Sequence, residues 1–600
     1  MSYTAPTQDM MFVMTELAGL DTIASLPGCQ DATRETAQAV LAEGAKFCEE
    51  VLAPLNASGD RNPGVWHDGE VNASPGFGKA FAQFVEGGWQ GLMHPAEYGG
   101  HGLPKLFAAP SLEMLKAANL SFATCPSLTD GAIEALLLAG SDALKALYLP
   151  KLISGEWTGT MNLTEPQAGS DLAMLRARAE PAEDGTYRIF GTKIFITWGE
   201  HDMAANIVHL VLARTPDAPE GVKGISLFLV PKFVPGADGA IGERNDVQCV
   251  SIEHKLGLKA SPTAVLQFGD EGGARGFLIG EENRGLEYMF VMMNAARFAV
   301  GLQGIGLAER AYQKAAAYAK ERVQGRPVDG SANQPVPIVR HPDVKRMLTA
   351  MRALTEGARA LAYVAASHFD LARHHADETV RAKHRAIHEY LVPIVKGWST
   401  ELCVEVTSLG VQVHGGMGFI EETGAAQYYR DARILPIYEG TTAIQANDLV
   451  GRKTVRDGGA VARQMLACIE QTLAELRAYR AFDTRPEFAA MHRHLDAGRT
   501  SMARAVDFML ANAKADPNVA FAGSVPYLLL SGIVLCGWQM ARALIAAYDH
   551  LSLDAAFHGA KMATAHCYAT HILPRALSLE VTILSQRSNE GVLALGDDDF

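Results

Sequence analysis

The sequence predicts an α+β fold: an N-terminal helical domain, a middle antiparallel β domain, a C-terminal helical bundle, and an appended C-terminal helical domain. Three observations predict it. Apolar residues recur at helical spacing up to about residue 150. Short β-branched and aromatic runs replace them from about 159 to 270. Helical spacing returns near 285 and persists. No helical crossover separates the strand-like runs, which favours antiparallel pairing over βαβ units. The 600 residues admit several domains. We set the boundaries at 1–37 (an N-terminal extension), 38–158, 159–275, 280–455 and 460–595.

Taken in order, helices are expected over 31–53, 77–85, 112–120 and 133–149. Pro54 fits a helix stop, and Pro126 and Pro150 read as punctuation. Strands are expected over 186–197, 207–213, 224–230 and 263–269, each bounded by turn residues. The clearest helix runs over 287–322. Its Gly301, Gly304 and Gly306 cost helix propensity and permit close backbone approach. Helices follow over 344–372, 379–409 and 442–452, with Pro393 expected to kink or break the second. After Asp457-Gly458-Gly459, helical spacing covers 460–480, 486–513, 525–550 and 557–585. The acidic end, Asp597 to Asp599, reads as solvated.

Composition narrows the function classes. The chain is 48% apolar and 20% charged, as in ordinary globular proteins, and its net charge of −14 argues against a duplex nucleic-acid binder. The eight Cys are scattered without a Cys-x-x-Cys pair, which fits free thiols in a reducing compartment. Residues 1–11 lack a basic and an apolar signal region, so a cytoplasmic location is expected. The longest apolar run, 525–538, is interrupted by Pro526, Ser531 and Gly532. It reads as a core helix, and no membrane span is expected.

Several short strings could carry chemistry, and each has a bland alternative. Thr164-Glu165-Pro166-Gln167-Ala168-Gly169-Ser170-Asp171 gathers hydroxyls and backbone donors in one loop; a plain turn does the same. Phe195-Ile196-Thr197-Trp198 puts aromatics at a strand end, where a flat cofactor or the core could receive them. His254 to Thr263 is a polar loop whose Lys255 and Lys259 could attract a phosphate or simply be solvated. Asn294 and Arg297 are three residues apart on one helix. Arg322, Gln324 and Arg326 lie at its far end, as a dipole-favoured cap or a pyrophosphate clamp. Gln412-Val413-His414-Gly415-Gly416-Met417-Gly418 is a flexible loop or a close approach to a ligand. Glu439, in Ile437-Tyr438-Glu439-Gly440-Thr441-Thr442, is a solvated acid or a base kept partly dry for proton abstraction.

Together these strings resemble the acyl-CoA dehydrogenase family over about residues 40–455. The matching segments are 164–171, 195–197, Arg322 to Gly325, Gln412 to Phe419 and 430–445. The added helical domain, with segments 196–202 and 206–214, is similar to the larger subgroup that includes an enzyme oxidising 3-methylmercaptopropionyl-CoA. The resemblance implies an FAD cofactor between the middle domain and the bundle. It implies that Leu163, Thr164, Gly169 and Ser170 line the flavin, with Ser170 also near the substrate, and that Phe195, Ile196 and Thr197 flank its ring. Members often have Trp at position 195 and Asn at position 198. Arg322, Gln324, Gln412 and Gly416 match cofactor-binding positions, those at 322 and 324 often serving a neighbouring subunit. Thr441 and Gln445 match positions near the cofactor. Asn294, Arg297 and Gly440 match the substrate side, although Asp is frequent where Asn294 stands.

By the same resemblance Glu439 is the catalytic base. It removes the α-proton of an acyl-CoA thioester while hydride leaves the β-carbon for the flavin, giving a trans-2,3-enoyl-CoA, here methylthioacryloyl-CoA. Some members carry the base just before the helix arginine, where this chain has Ala296. The implied partners are the acyl-CoA, an electron-transfer flavoprotein and a second copy in a homodimer. Alternatives are a short- or medium-chain fatty acyl-CoA dehydrogenase, an acyl-CoA oxidase, and a flavin-bound nucleic-acid-associated relative, which the acidic balance disfavours.

Overall fold

The computed structural model describes residues 3–600. The N-terminal region holds α1 (Thr7–Phe12), α2 (Leu20–Ala24), α3 (Arg34–Phe47), α4 (Ala53–Arg61), α5 (Phe77–Glu86), α6 (Lys105–Ala118), α7 (Leu120–Ala139) and α8 (Asp142–Ser154), with a hairpin of β1 (Val65–His67) and β2 (Glu70–Asn72). Pro54 does not stop a helix. A π-helical turn at Cys48–Leu52 leads directly into α4, and the chain stays helical through Pro54. Pro126, Pro150 and Pro393 likewise lie inside continuous helices. A buried helix held by its neighbours can absorb a local cost of about 3 kcal/mol. The expected helix over 133–149 is two helices, because Ser141 caps the start of α8 by accepting from Leu144 N.

The middle domain is one sheet of β3 (Trp157–Asn162), β4 (Arg178–Pro181), β5 (Tyr187–Thr197), β6 (Asn206–Ala213), β7 (Ser226–Pro231), β8 (Val247–Ile252), β9 (Thr263–Phe268) and β10 (Ala274–Ile279). The strand order is β3-β6-β7-β10-β5-β9-β8, with β4 on β5. The expected antiparallel pairing holds for every pair but one: β3 and β6 are parallel, Trp157 opposite Asn206 through Asn162 opposite Val211. The chain between them forms β4 and β5 elsewhere in the sheet before returning, so a parallel pair needs no helical crossover here. Strands β3, β4, β8 and β10 escape the sequence pattern because they are short, six residues or fewer, and interrupted by Gly, Arg or Gln.

The bundle comprises α9 (Gly285–Glu321), α10 (Pro342–His374), α11 (Glu378–His414), α12 (Ala425–Ala432) and α13 (Thr442–Asp448). The appended helices are α14 (Ala460–Ala478), α15 (Pro486–Asn512), α16 (Pro517–Ala522), α17 (Ser524–Asp549), α18 (Ala555–Cys567) and α19 (Arg575–Leu584). A π-helical turn at Tyr568–Ile572 and Pro574 divide the last expected helix. Two helices, α9 and α17, are long and apolar enough to cross a bilayer, but both are mostly buried within the protein. Gly532 of α17 sits so close to Trp398 of α11 that a Cβ would fall 2.4 Å from the ring, so these helices pack nearly backbone to side chain. All eight cysteines are free.

The residues before α3 are part of the core. Tyr3, Met10, Phe12 and Met14 are buried with the bundle and the appended helices. Asp9 accepts from Arg359 Nη1 at 2.7 Å and pairs with Lys561. Arg359 also donates to Glu113 at 2.9 Å through Nε and to Glu309 at 2.8 Å through Nη2, while Lys561 reaches Glu356 at 2.6 Å. Burial alone would raise the Asp9 carboxyl, but the charges of Lys561 and Arg359 hold it at about 2.

Candidate active site

The loop after α12 carries Glu439. Its backbone has φ +55° and the next residue, Gly440, has φ +87°. Left-handed backbone at a glutamate is strained, and persists only where neighbours over-determine it. The neighbours are identifiable. Lys396 of α11 donates to Leu435 O at 3.0 Å and Gly440 O at 2.7 Å. Gln445 of α13 donates to Glu439 O at 3.3 Å and Gly440 O at 3.2 Å. Thr441 caps α13 by accepting from Ile444 N at 3.2 Å. Tyr438 donates its hydroxyl proton to Gln303 of α9.

The half-buried Glu439 carboxyl is pushed up to about 7 by burial, which outweighs the pull of the nearby Lys396 and Arg297 charges. Burial in turn lowers Lys396 to about 8. Arg297 is buried and pairs loosely with Asp448, 3.5 Å away. Arg297 Nε, Asp448 Oδ1 and Gln445 Oε1 are buried without hydrogen-bond partners. A carboxylate poised near neutrality, beside cations and orphaned polar atoms, is suited to taking a proton from a weak carbon acid.

The other expected positions fall into two further groups. Thr164 O accepts from Ile194 N at 2.9 Å, and Leu163 O accepts from Lys193 Nζ at 3.1 Å. These bonds bring the 163–171 loop beside Phe195, Ile196 and Thr197. The buried Glu165 braces that loop by accepting from Lys193 Nζ at 2.7 Å, Arg176 N at 2.7 Å and Ala177 N at 3.0 Å. A register shift in β5 between Lys193 and Ile196 turns Phe195 outward with φ +60°, leaving it 59% exposed. Ile196 is buried in the sheet's core, so only its backbone is free to meet a ligand. Trp198 is also core, donating to Thr124 Oγ1 at 2.9 Å. Gly169 and Ser170 lie at the open edge of the loop, with nothing within 4 Å of a Cβ at Gly169.

Arg322 and Gln324 form the other group with Gln412 and Gly416. All four are exposed, and the stacking of Tyr318 on His414 at 4.4 Å joins their two helix ends. Arg322 stands 25 residues beyond Arg297, about 38 Å along α9. The structure therefore does not bring this group to Glu439. Asn294 is exposed and does not share the burial of Arg297.

Lys396, Lys193, Glu165 and Asp448 were not singled out as site residues from sequence. A usable signal existed for two of them, a lone lysine in the apolar run 391–398 and another in the strand 193–196.

The chain matches four sequence families end to end: "Acyl-CoA dehydrogenase, N-terminal domain" over residues 34–156, its middle domain over 160–270, its C-terminal domain over 283–453, and "Acetyl-CoA dehydrogenase C-terminal like" over 465–589. It is 54% identical to 3-methylmercaptopropionyl-CoA dehydrogenase of Ruegeria pomeroyi, over 96% of each chain. Among solved structures, Caenorhabditis elegans ACDH-11 in complex with C11-CoA aligns with a TM-score of 0.75 at 20% identity, covering 95% of this chain and 92% of that one. Bacillus anthracis acyl-CoA dehydrogenase complexed with FAD aligns with a TM-score of 0.72 at 22% identity, over 95% and 91%. Those two likenesses speak to the fold; the domain matches and the 54% identity speak to descent. The chain belongs to the acyl-CoA dehydrogenase family.

Proposed function

We propose that this chain is an FAD-dependent acyl-CoA dehydrogenase that converts 3-methylmercaptopropionyl-CoA to methylthioacryloyl-CoA. The observation that carries it is Glu439: a half-buried carboxylate near neutral pKa, fixed in strained backbone between Lys396 and Arg297. The 54% identity to an enzyme of that name supports the substrate.

The residues fit an FAD cofactor, as the fold-mate complexed with FAD also supports. Leu163, Thr164, Gly169 and Ser170 would hold the ring edge, Phe195 and the backbone of Ile196 and Thr197 one face, and Thr441 and Gln445 the rim near Glu439. The unpartnered Gln445 Oε1 supplies an acceptor there. When bound, FAD supplies the hydride acceptor. Glu439 removes the α-proton as hydride leaves the β-carbon, so that the electron pair of the α C–H bond becomes the new C=C bond. Lys396 holds the base's loop by its two carbonyl contacts, and Arg297 keeps cationic charge beside it. Ser170, Asn294 and Gly440 line the substrate side. An electron-transfer flavoprotein then takes the electrons.

Arg322, Gln324, Gln412 and Gly416 serve the cofactor of a second copy in a homodimer. The length of α9 supports this, as does the apolar surface beside Gly416, where Phe419 is 85% exposed and Met417 and Ile420 are exposed too. The test is a panel of acyl-CoAs with the FAD-loaded protein. Reduction of an electron-transfer flavoprotein with enoyl-CoA formation, fastest on the methylthio substrate, is expected. Stoichiometric peroxide with no such reduction would instead show an oxidase.

A further inference from the structure

Three domains meet at two consecutive residues of α12, Arg430 and Asp431. Arg430 Nη1 donates to Asp60 of α4 at 3.0 Å and to Leu256 O of the middle domain at 3.1 Å. Asp431 is 1% exposed; it accepts from Leu258 N at 2.6 Å and more loosely from Gln427 Nε2 at 3.4 Å. Gln427 in turn donates to Asn56 O of α4 at 3.3 Å. Burial lifts the Asp431 carboxyl to about 7, and the Leu258 N–H is the strongest pull against that rise.

The middle-domain side of this junction is the loop 254–263, and its geometry is costly. Leu258 is buried with φ +48°, a conformation that L side chains rarely adopt. Gly257 lies so close to α12 that a Cβ there would fall 2.6 Å from the Arg430 carbonyl. A bond to a buried carboxylate and a missing side chain together hold the loop against the helix.

Both partners of that bond lead to the candidate site. The loop closes where Glu253 N donates to Thr263 O at 2.9 Å. There β9 begins, with Thr263 opposite Thr197 of β5, and Trp198 N donates to Pro262 O at 2.8 Å. The loop thus braces the strand end 195–197. On the other side, Asp431 precedes Glu439 by eight residues. The turns between them are closed by Leu435 N to Ala432 O at 3.1 Å and Tyr438 N to Ile434 O at 3.1 Å. Each end of the Leu258–Asp431 bond is therefore tied through short hydrogen-bonded turns to one side of the site.

We propose that Asp431 is a positioning residue: through Leu258 N it sets the Glu439 loop of the bundle in register with the strand end 195–197 of the middle domain. This rests on the function proposed above and adds the contact that fixes the base against the flavin's side of the cleft. Such a contact matters because a misplacement of about 1 Å at a reacting centre can cost about 10²-fold in rate.

The experiment compares FAD-loaded wild type, Asp431→Asn, Asp431→Leu and Gly257→Ala. It reads kcat and KM for 3-methylmercaptopropionyl-CoA with an artificial acceptor, the visible circular dichroism of bound FAD, and thermal melts. Asp431→Asn keeps the Oδ1 acceptor and should retain most of kcat. Asp431→Leu removes that acceptor, and Gly257→Ala prises the loop from α12 with the carboxylate intact. Both should lose about 10–100-fold in kcat with KM little changed, and both should alter the flavin dichroism. Gly257→Ala stands in for Asp431→Leu if the latter does not fold. Wild-type kcat in the folded Leu or Ala variant, a loss confined to KM, or an Asn variant as slow as Leu would overturn the proposal. If wild type binds FAD but oxidises none of the acyl-CoA panel, dichroism altered by Leu and Ala but not by Asn would uphold the clamp and sink the dehydrogenase reading instead. No FAD binding by wild type would sink both.

Discussion

Around Arg359, charged side chains from the N-terminal segment, α6, α9, α10 and α18 meet, and all three guanidinium nitrogens donate to a carboxylate. Around Glu439, the ammonium of Lys396 is turned toward backbone carbonyls, and Arg297 Nε and Asp448 Oδ1 lack hydrogen-bond partners, Arg452 standing 3.6 Å from the latter. Both places bury charge. In the first, Asp9 is held ionised at about 2; in the second, Glu439 is lifted to about 7. In the first cluster two cations hold Asp9 down while burial still raises Glu113, so what separates the two places is that one ties distant segments together through paired charge and the other leaves a carboxyl near neutrality.

The sharpest way to break that contrast is Glu439→Gln, which should keep FAD while lowering kcat by about 10²–10⁴-fold, the range for removing a general base. Turnover near wild type would end the assignment. At the other cluster, Arg359→Met strands buried carboxylates and should cost about 3–5 kcal/mol of stability, read by denaturant melts. A smaller loss would mean that the surrounding acids relax or take up protons at little cost.

Lys396→Met should lower kcat by about 10–100-fold through a misplaced loop, the scale reported for small displacements of catalytic groups. It should also move the pH–rate profile of kcat/KM to higher pH, because the Lys396 charge lowers the Glu439 carboxyl. A rate loss without the alkaline shift would make Lys396 a purely structural residue.

The smallest effect concerns stability. Glu439 has a folded pKa near 7 against an ordinary value of 4.5, so the native state holds the proton more tightly between those pH values. Stability from this group is full below pH 4.5 and falls as pH rises to 7. Glu439→Gln should therefore melt higher than wild type at pH 8, by about 1–3 kcal/mol, and no higher at pH 4.5. An equal gain at both pH values would remove the titration as its cause.

The helices were legible wherever apolar periodicity ran long, as in α9, α10 and α14. They were misjudged at Pro54, Pro126 and Pro150, where tertiary packing overrides a local cost. The Glu439 loop was legible because its residues are consecutive. The Lys396 contacts were not, since their partners lie 39 and 44 residues away. The Arg359 cluster was wholly invisible: residues 9, 113, 309, 356, 359 and 561 share no local pattern.

That cluster has a consequence for how the chain is made. Asp9 leaves the ribosome 552 residues ahead of its partner Lys561. The N-terminal segment must wait, with Met10 and Phe12 uncovered, until α18 has been synthesised and docked. Closing so long a loop is slow, so burial of the N-terminus is expected to be a late event in folding, and the stage at which nascent chains are most open to chaperones and proteases.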